Sequence, residues 1–116
     1  MVTEEQWERR IRKIQERLAA LGPMRPGSLS RQYKVCGNPS CRCMDPEHPR
    51  KHGPYYHLNY IRQGRNTTEF VKPADVAEVG RQLANYKRFR ALTHEWVEAS
   101  IELARLRKKR GSNEKD

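Results

Sequence analysis

All three cysteines of this chain fall inside one eight-residue run, Cys36-Gly37-Asn38-Pro39-Ser40-Cys41-Arg42-Cys43. Gly37 and Pro39 bend the backbone between the first two, so both sulfurs can turn toward one point. Cys41 and Cys43 stand one residue apart, close enough for two thiolates to grip one ion from a tight turn. Three thiolates and an imidazole are a usual tetrahedral donor set for zinc. The segment Lys51-His52-Gly53-Pro54-Tyr55-Tyr56 follows a few residues on and supplies the imidazole. His52 is favoured because Gly53-Pro54 fixes the backbone directly after it. His48, between Glu47 and Pro49 in a loop, remains the other candidate. Three unrelated thiols, a disulfide with one cysteine left over, and an iron–sulfur cluster on the same donors are the competing readings. Structural zinc at Cys36, Cys41, Cys43 and His52 explains the spacing better than any of them. Four protein donors close the coordination sphere, so the expected role is folding and not catalysis.

A metal staple also suits what the rest of the chain can bury. Only 35% of the 116 residues are apolar and 33% are charged, which allows a modest core of one domain. No apolar run approaches a membrane span, and residues 1–25 lack a signal-peptide core, so no membrane partner is expected. With an odd cysteine count as well, a reducing cytoplasm is the expected compartment.

Helical periodicity brackets the cysteine region. Trp7, Ile11, Ile14, Leu18 and Leu21 recur at steps of four and three, predicting a heptad helix over Glu4–Leu21 with Thr3 and Gln6 as a capping box. Gly22-Pro23 stops it, and residues 22–32 read as a linker. After His52, Tyr56, Leu58 and Tyr60 alternate with polar positions, predicting a strand. A three-residue loop Arg62-Gln63-Gly64 returns it as a second strand over Arg65–Val71, with Tyr56 opposite Phe70 and Leu58 opposite Thr68. Pro73 opens a long helix to Arg110. Its seam runs Val76, Val79, Leu83, Tyr86 and then Phe89, Leu92, Trp96, Ala99, Leu103, Leu106, with a shortened step between the two halves.

The expected fold is therefore α+β: an N-terminal helix (1–22), a zinc knuckle with a two-stranded antiparallel hairpin (23–72), and a long C-terminal helix (73–110). The long helix pairs with the first in coiled-coil fashion, a disordered tail (111–116) follows, and the whole forms one compact domain.

Several of these motifs occur together elsewhere. Gly27-Ser28-Leu29, CGNPSCRC, HGPYYHLNY, Gly64 in a hairpin and Val71-Lys72-Pro73 make residues 27–90 resemble a family of small bacterial and archaeal proteins. That family is marked by Cys-Gly-x-x-x-Cys-x-Cys and His-Gly-Pro-Tyr signatures. The matching positions are Cys36, Cys41, Cys43, His52, Gly53, Pro54 and Tyr55. The segment Met44–Arg50 is longer and more acidic than the family's short basic linker. The resemblance implies a family without an assigned function, whose members look like accessory genes of mobile elements, sometimes near transposases.

Charge points to a partner. The net charge is +10, and residues 25–72 hold nine Lys/Arg against three Asp/Glu. The run Arg105–Arg110 adds five more cations, whereas residues 3–21 are nearly balanced. This is the pattern of a polyanion binder. The expected function is nucleic-acid binding, DNA ahead of RNA. Arg31, Lys34, Arg42, Arg50, Lys51, Arg62 and Arg65 would meet phosphates, and Tyr33 and Tyr55 bases. The alternative is a protein-interaction adaptor, or a homodimer formed through the helices, in which zinc is purely structural. No nucleophile–base pair and no phosphate loop stands at recognisable spacing, so no enzyme is expected.

Overall fold

In the computed structural model, which describes residues 1–114, the first helix starts where the capping chemistry places it. Gln6 N–H donates to Thr3 Oγ1 at 3.2 Å, and Thr3 N–H donates to Gln6 Oε1 at 2.9 Å. These two bonds satisfy orphan donors at the start of α1 (Glu4–Ala19). The order then runs β1 (Ser28–Lys34), β2 (His52–Arg62), β3 (Arg65–Val71) and α2 (Val76–Glu114), with 3-10 turns at Arg42–Met44 and Pro73–Asp75. α2 continues through Gly111 to Glu114, into the stretch 111–116 expected to be disordered. One glycine in a helix costs only about 1 kcal/mol, and nothing else there stops it. The remainder of the expected tail, 115–116, lies outside the described residues.

The chain divides into two compact units: residues 1–24 with the chain from Ala84 onward, and residues 25–83. In the first, α1 and the later part of α2 run antiparallel. Arg107 donates to Glu8 at 2.7 Å and Arg110 to Glu4 at 3.0 Å, while at the other end Asn85 Nδ2 donates to the Pro23 carbonyl at 2.9 Å. Ile14, Leu92, Ala99 and Leu103, all members of the predicted seams, are its buried side chains.

The second unit is a three-stranded antiparallel sheet in the order β1-β2-β3, against the predicted two strands. β1 arises from the stretch read mainly as linker. Five of its seven residues are exposed, so it carries almost no hydrophobic alternation to find. It forms because β2 offers a free edge, and Ser28 to Gln32 pair with Asn59 to Tyr55.

The β2–β3 register also differs from expectation. Tyr56 faces Val71, Leu58 faces Glu69, and Arg62 faces Arg65. The connection is a two-residue turn with Gln63 at φ 52° and Gly64 at φ 77°. Two successive positive φ values give the turn whose twist matches the strands, and glycine takes the second at no steric cost. A one-residue slip turns every β3 side chain to the opposite face. Val71 therefore enters the core with Leu58 and Val79, while Phe70 turns outward and is 60% exposed. Tyr56 and Tyr60 pack against that core, as their alternation implied, beside Leu29, Val76 and Leu83.

A polar tie lies on the same face of the sheet. Tyr60 Oη donates to Glu69 Oε1 at 2.6 Å, and Arg25 Nη2 donates to the other carboxylate oxygen. The Tyr60 hydroxyl first, and the Arg25 guanidinium after it, hold Glu69 below the usual carboxylate range. Such a depressed carboxylate favours the fold above the pH at which an unfolded glutamate titrates, about 4.3, and that contribution fades as pH falls through the lower folded value.

Two outcomes are expected. Leu58, fully buried, should cost about 2–5 kcal/mol when truncated in Leu58→Ala, read as a lower urea midpoint. Glu69→Gln should lower the melting temperature at pH 7, with the gap to the parent narrowing below about pH 4.

Candidate metal centre and the exposed sheet face

The pairing of β1 with β2 places the metal donors. Lys34 pairs with His52 across the ladder, with a register irregularity between Gln32 and Lys34. Cys36 thus leaves the end of β1 beside the start of β2. Gly53 follows His52 with φ +135°, and a Cβ there would stand 2.8 Å from the Gln32 carbonyl oxygen. Only glycine admits so close an approach of β1 at that φ. The next peptide bond, Gly53–Pro54, is cis.

Short polar contacts shape the intervening loop. Asn38 Oδ1 accepts from Ser40 N–H at 3.1 Å and from Ser40 Oγ at 2.8 Å, making a tight turn between the first two cysteines. Cys41 N–H donates to the Asn38 carbonyl, and Met44 N–H to the Cys41 carbonyl. The turn Arg42–Met44 buries Cys43, and the Cys36 amide donates to its sulfur at 3.2 Å. A second turn, in which Asp45 Oδ1 accepts from Glu47 and His48 amides, shapes the loop at His48.

The ligand atoms of Cys36, Cys41, Cys43 and His52 all lie within 4.8 Å of one another. Cys36 and Cys43 sulfurs are 3.4 Å apart, and Cys41 Sγ is 3.1 Å from His52 Nε2. The sulfur separation is far beyond a disulfide bond of about 2.05 Å. A tetrahedral ion with metal–sulfur bonds of about 2.3 Å has edges of about 3.8 Å between sulfurs and about 3.5 Å from sulfur to nitrogen. These two separations would open by only a few tenths of an ångström to match the edges of such a site. A backbone hydrogen bond at Asn38, then His52, Cys43 and Cys41, draw the Cys36 thiol down to about 6. The Cys36 amide favours the Cys43 thiolate, but burial and the neighbouring sulfurs outweigh it and push that thiol up. His48 is not part of the cluster among the described residues.

The cations expected at a partner surface are spread from this centre to the far end of the sheet. Arg31 and Lys34 lie on β1, Arg42 on the cysteine turn, Arg50 and Lys51 just before β2, and Arg62 and Arg65 at the hairpin end, all exposed. Tyr33 is half exposed under the Arg31 guanidinium, 6.0 Å from it. The Lys34 ammonium stands 6.0 Å from the Tyr55 ring. Lys34, Val35, Cys36, His52, Tyr55, His57 and Phe70 line a hollow of about 330 Å³ beside the metal donors. His57 and Phe70, neighbours across the ladder, meet edge to face with ring centres 6.1 Å apart. Neither had been assigned to the site from sequence. The signal for Phe70 was the turn: a two-residue Gln63-Gly64 loop would have placed its ring outward.

Four convergent donors, clustered at the open end of a small antiparallel sheet, make this an α+β protein with a candidate Cys3His metal-binding centre. A family model, Domain of unknown function (DUF6788), matches residues 4–81, and the chain belongs to that family. The match takes in α1, so the family unit begins well before the 27–90 stretch on which the resemblance rested. No curated protein and no solved structure matches the chain. Among the described residues, no helix is long and apolar enough to cross a membrane.

Protein purified without chelator should carry about one metal ion per chain by elemental analysis. His52→Ala should lose most of it while His48→Ala retains it. Retention by His52→Ala with loss by His48→Ala would reverse the ligand assignment.

Proposed function

We propose that this protein is a zinc-stapled nucleic-acid-binding module, with DNA the first ligand to test and an accessory role in a mobile element its setting. Three thiolates and an imidazole are a donor set suited to zinc. With all four positions filled by protein, the ion stabilises the turn and leaves chemistry to no bound water.

The observation that carries the reading is how the cations are used. In the helical unit, Arg107 and Arg110 are engaged by Glu4 and Glu8, and Arg105 by Glu102. Around the sheet and cysteine turn, Arg31, Lys34, Arg42, Arg50, Lys51, Arg62 and Arg65 make no ion pair among the described residues. Unpaired surface cations release counterions from a phosphate backbone without first breaking a protein contact. These cations are thus available to a polyanion, while Arg105, Arg107 and Arg110 near the end of α2 are engaged; among the described residues Arg12, Lys87, Arg88 and Arg90 of the helical unit make no ion pair either.

A protein-interaction adaptor is the second reading. Its support is a hollow of about 380 Å³ in the helical unit, with Trp7, Ile14 and Ala99 at its apolar part and Arg10, Lys13, Arg17, Glu95 and Glu98 among its charged lining.

Binding to DNA should weaken steeply with salt, each lost phosphate contact reducing the log–log slope by roughly one unit. Arg42→Ala/Arg62→Ala/Arg65→Ala should flatten that slope while zinc content and helicity stay unchanged. Lys108→Ala/Lys109→Ala should leave binding nearly intact. The opposite pattern would reduce the cysteine module to a scaffold and move the adaptor reading to the front.

A further inference from the structure

The sheet of the second unit has two unequal faces. One covers Leu58, Val71 and Val79. The other carries Tyr55, His57 and Phe70 around the hollow beside the metal donors. Phe70 is 60% exposed, one of several large apolar side chains open to solvent, Ile61 among them. Singly exposed hydrophobic residues are common and need no explanation by themselves. This one is different in its company. Its ring meets His57 edge to face, a contact that favours one orientation before any ligand arrives. A second ring, Tyr55, lies in the same hollow, with the Lys34 ammonium 6.0 Å from that ring's centre. His57 Nδ1 is hidden from solvent and finds no hydrogen-bond partner within the protein.

Pre-oriented rings with a cation between strand and solvent form a stacking platform. Every base has a π-face, and an aromatic ring on an open sheet can take it whatever the sequence. In a duplex both faces of each base are already covered by its neighbours, so such a platform can engage only bases that are unstacked. The hollow's volume of about 330 Å³ is at the small end of ligand sites, suited to one flat ring system and not to a double helix. The Lys34 ammonium is placed to meet the phosphate that accompanies a stacked base.

We propose that this outer face, through Phe70 and Tyr55 with Lys34, binds single-stranded nucleic acid by base stacking, in preference to duplex. This rests on the nucleic-acid reading above and narrows it: the free cations supply attraction to any polyanion, while the rings select an unpaired strand.

The test uses the full-length, metal-loaded protein and fluorescence anisotropy with a mixed-sequence single strand of about a dozen nucleotides, alongside the same strand annealed to its complement. At one salt concentration the single strand should bind about tenfold or more tightly than the duplex. Phe70→Leu keeps apolar bulk and removes the ring. It should weaken single-strand binding by about tenfold, the usual scale of one lost stacking contact, and leave duplex binding unchanged. Phe70→Tyr should restore the single-strand affinity, and zinc content and far-ultraviolet circular dichroism should match the parent in both variants. Equal affinity for the two probes, with Phe70→Leu silent on each, would overturn the stacking platform while leaving the nucleic-acid reading in place. Binding of neither probe at low salt would overturn both.

Discussion

The antiparallel pairing of β1 with β2 is the constraint on which the metal centre depends. Cys36 and His52 are separated by fifteen intervening residues, and only the Lys34–His52 step of the ladder brings their chain segments together. Cys41 and Cys43 cannot complete a tetrahedral set by themselves, however well Asn38 and Ser40 shape their turn. The close approach of β1 at Gly53 belongs to the same device, because a side chain there would push the Gln32 carbonyl away. Sheet and metal donors are therefore one structure: the ladder presents the donors, and an ion held by them would clamp the ladder's open end.

The two parts of α2 do different work. Val76, Val79 and Leu83 complete the sheet's core, whereas Leu92, Ala99 and Leu103 are buried in the helical unit. The shortened step between Tyr86 and Phe89 in the apolar pattern falls just beyond the division between Leu83 and Ala84. The sequence reading expects one compact domain with a segment boundary at Pro73, where proline and a change of period are visible, while a transfer of burial within one unbroken helix is not.

The helices and the metal donors were legible for clear physical reasons. A capping box and a heptad seam are local signals, and three cysteines within eight residues leave few arrangements open. The third strand was not legible, because Arg31, Gln32 and Lys34 are exposed and pair through backbone groups that carry no sequence signal. The β3 register turned on whether the hairpin loop holds two residues or three. Placing the larger ring of Phe70 inside was the natural inference from hydrophobicity, but Val71 occupies that position. The Arg25–Glu69–Tyr60 tie was equally invisible, since Arg25 and Glu69 lie far apart along the chain and Glu69 had been assigned to the opposite face.

The position of the donors at one end of the ladder also governs how the sheet would come apart. Closing the loop between Val35 and Lys51 without a cross-link carries a conformational-entropy cost that grows with the logarithm of its length. The far end of the sheet is closed by a two-residue turn, and its middle is anchored by Leu58. Loss of an ion from such a site would be a local event, with amide protection receding first from Lys34 and His52 and the strands around Leu58 holding longest. A metal-loaded module would behave less like a zinc finger that collapses outright than like a zipper with its slider at one end.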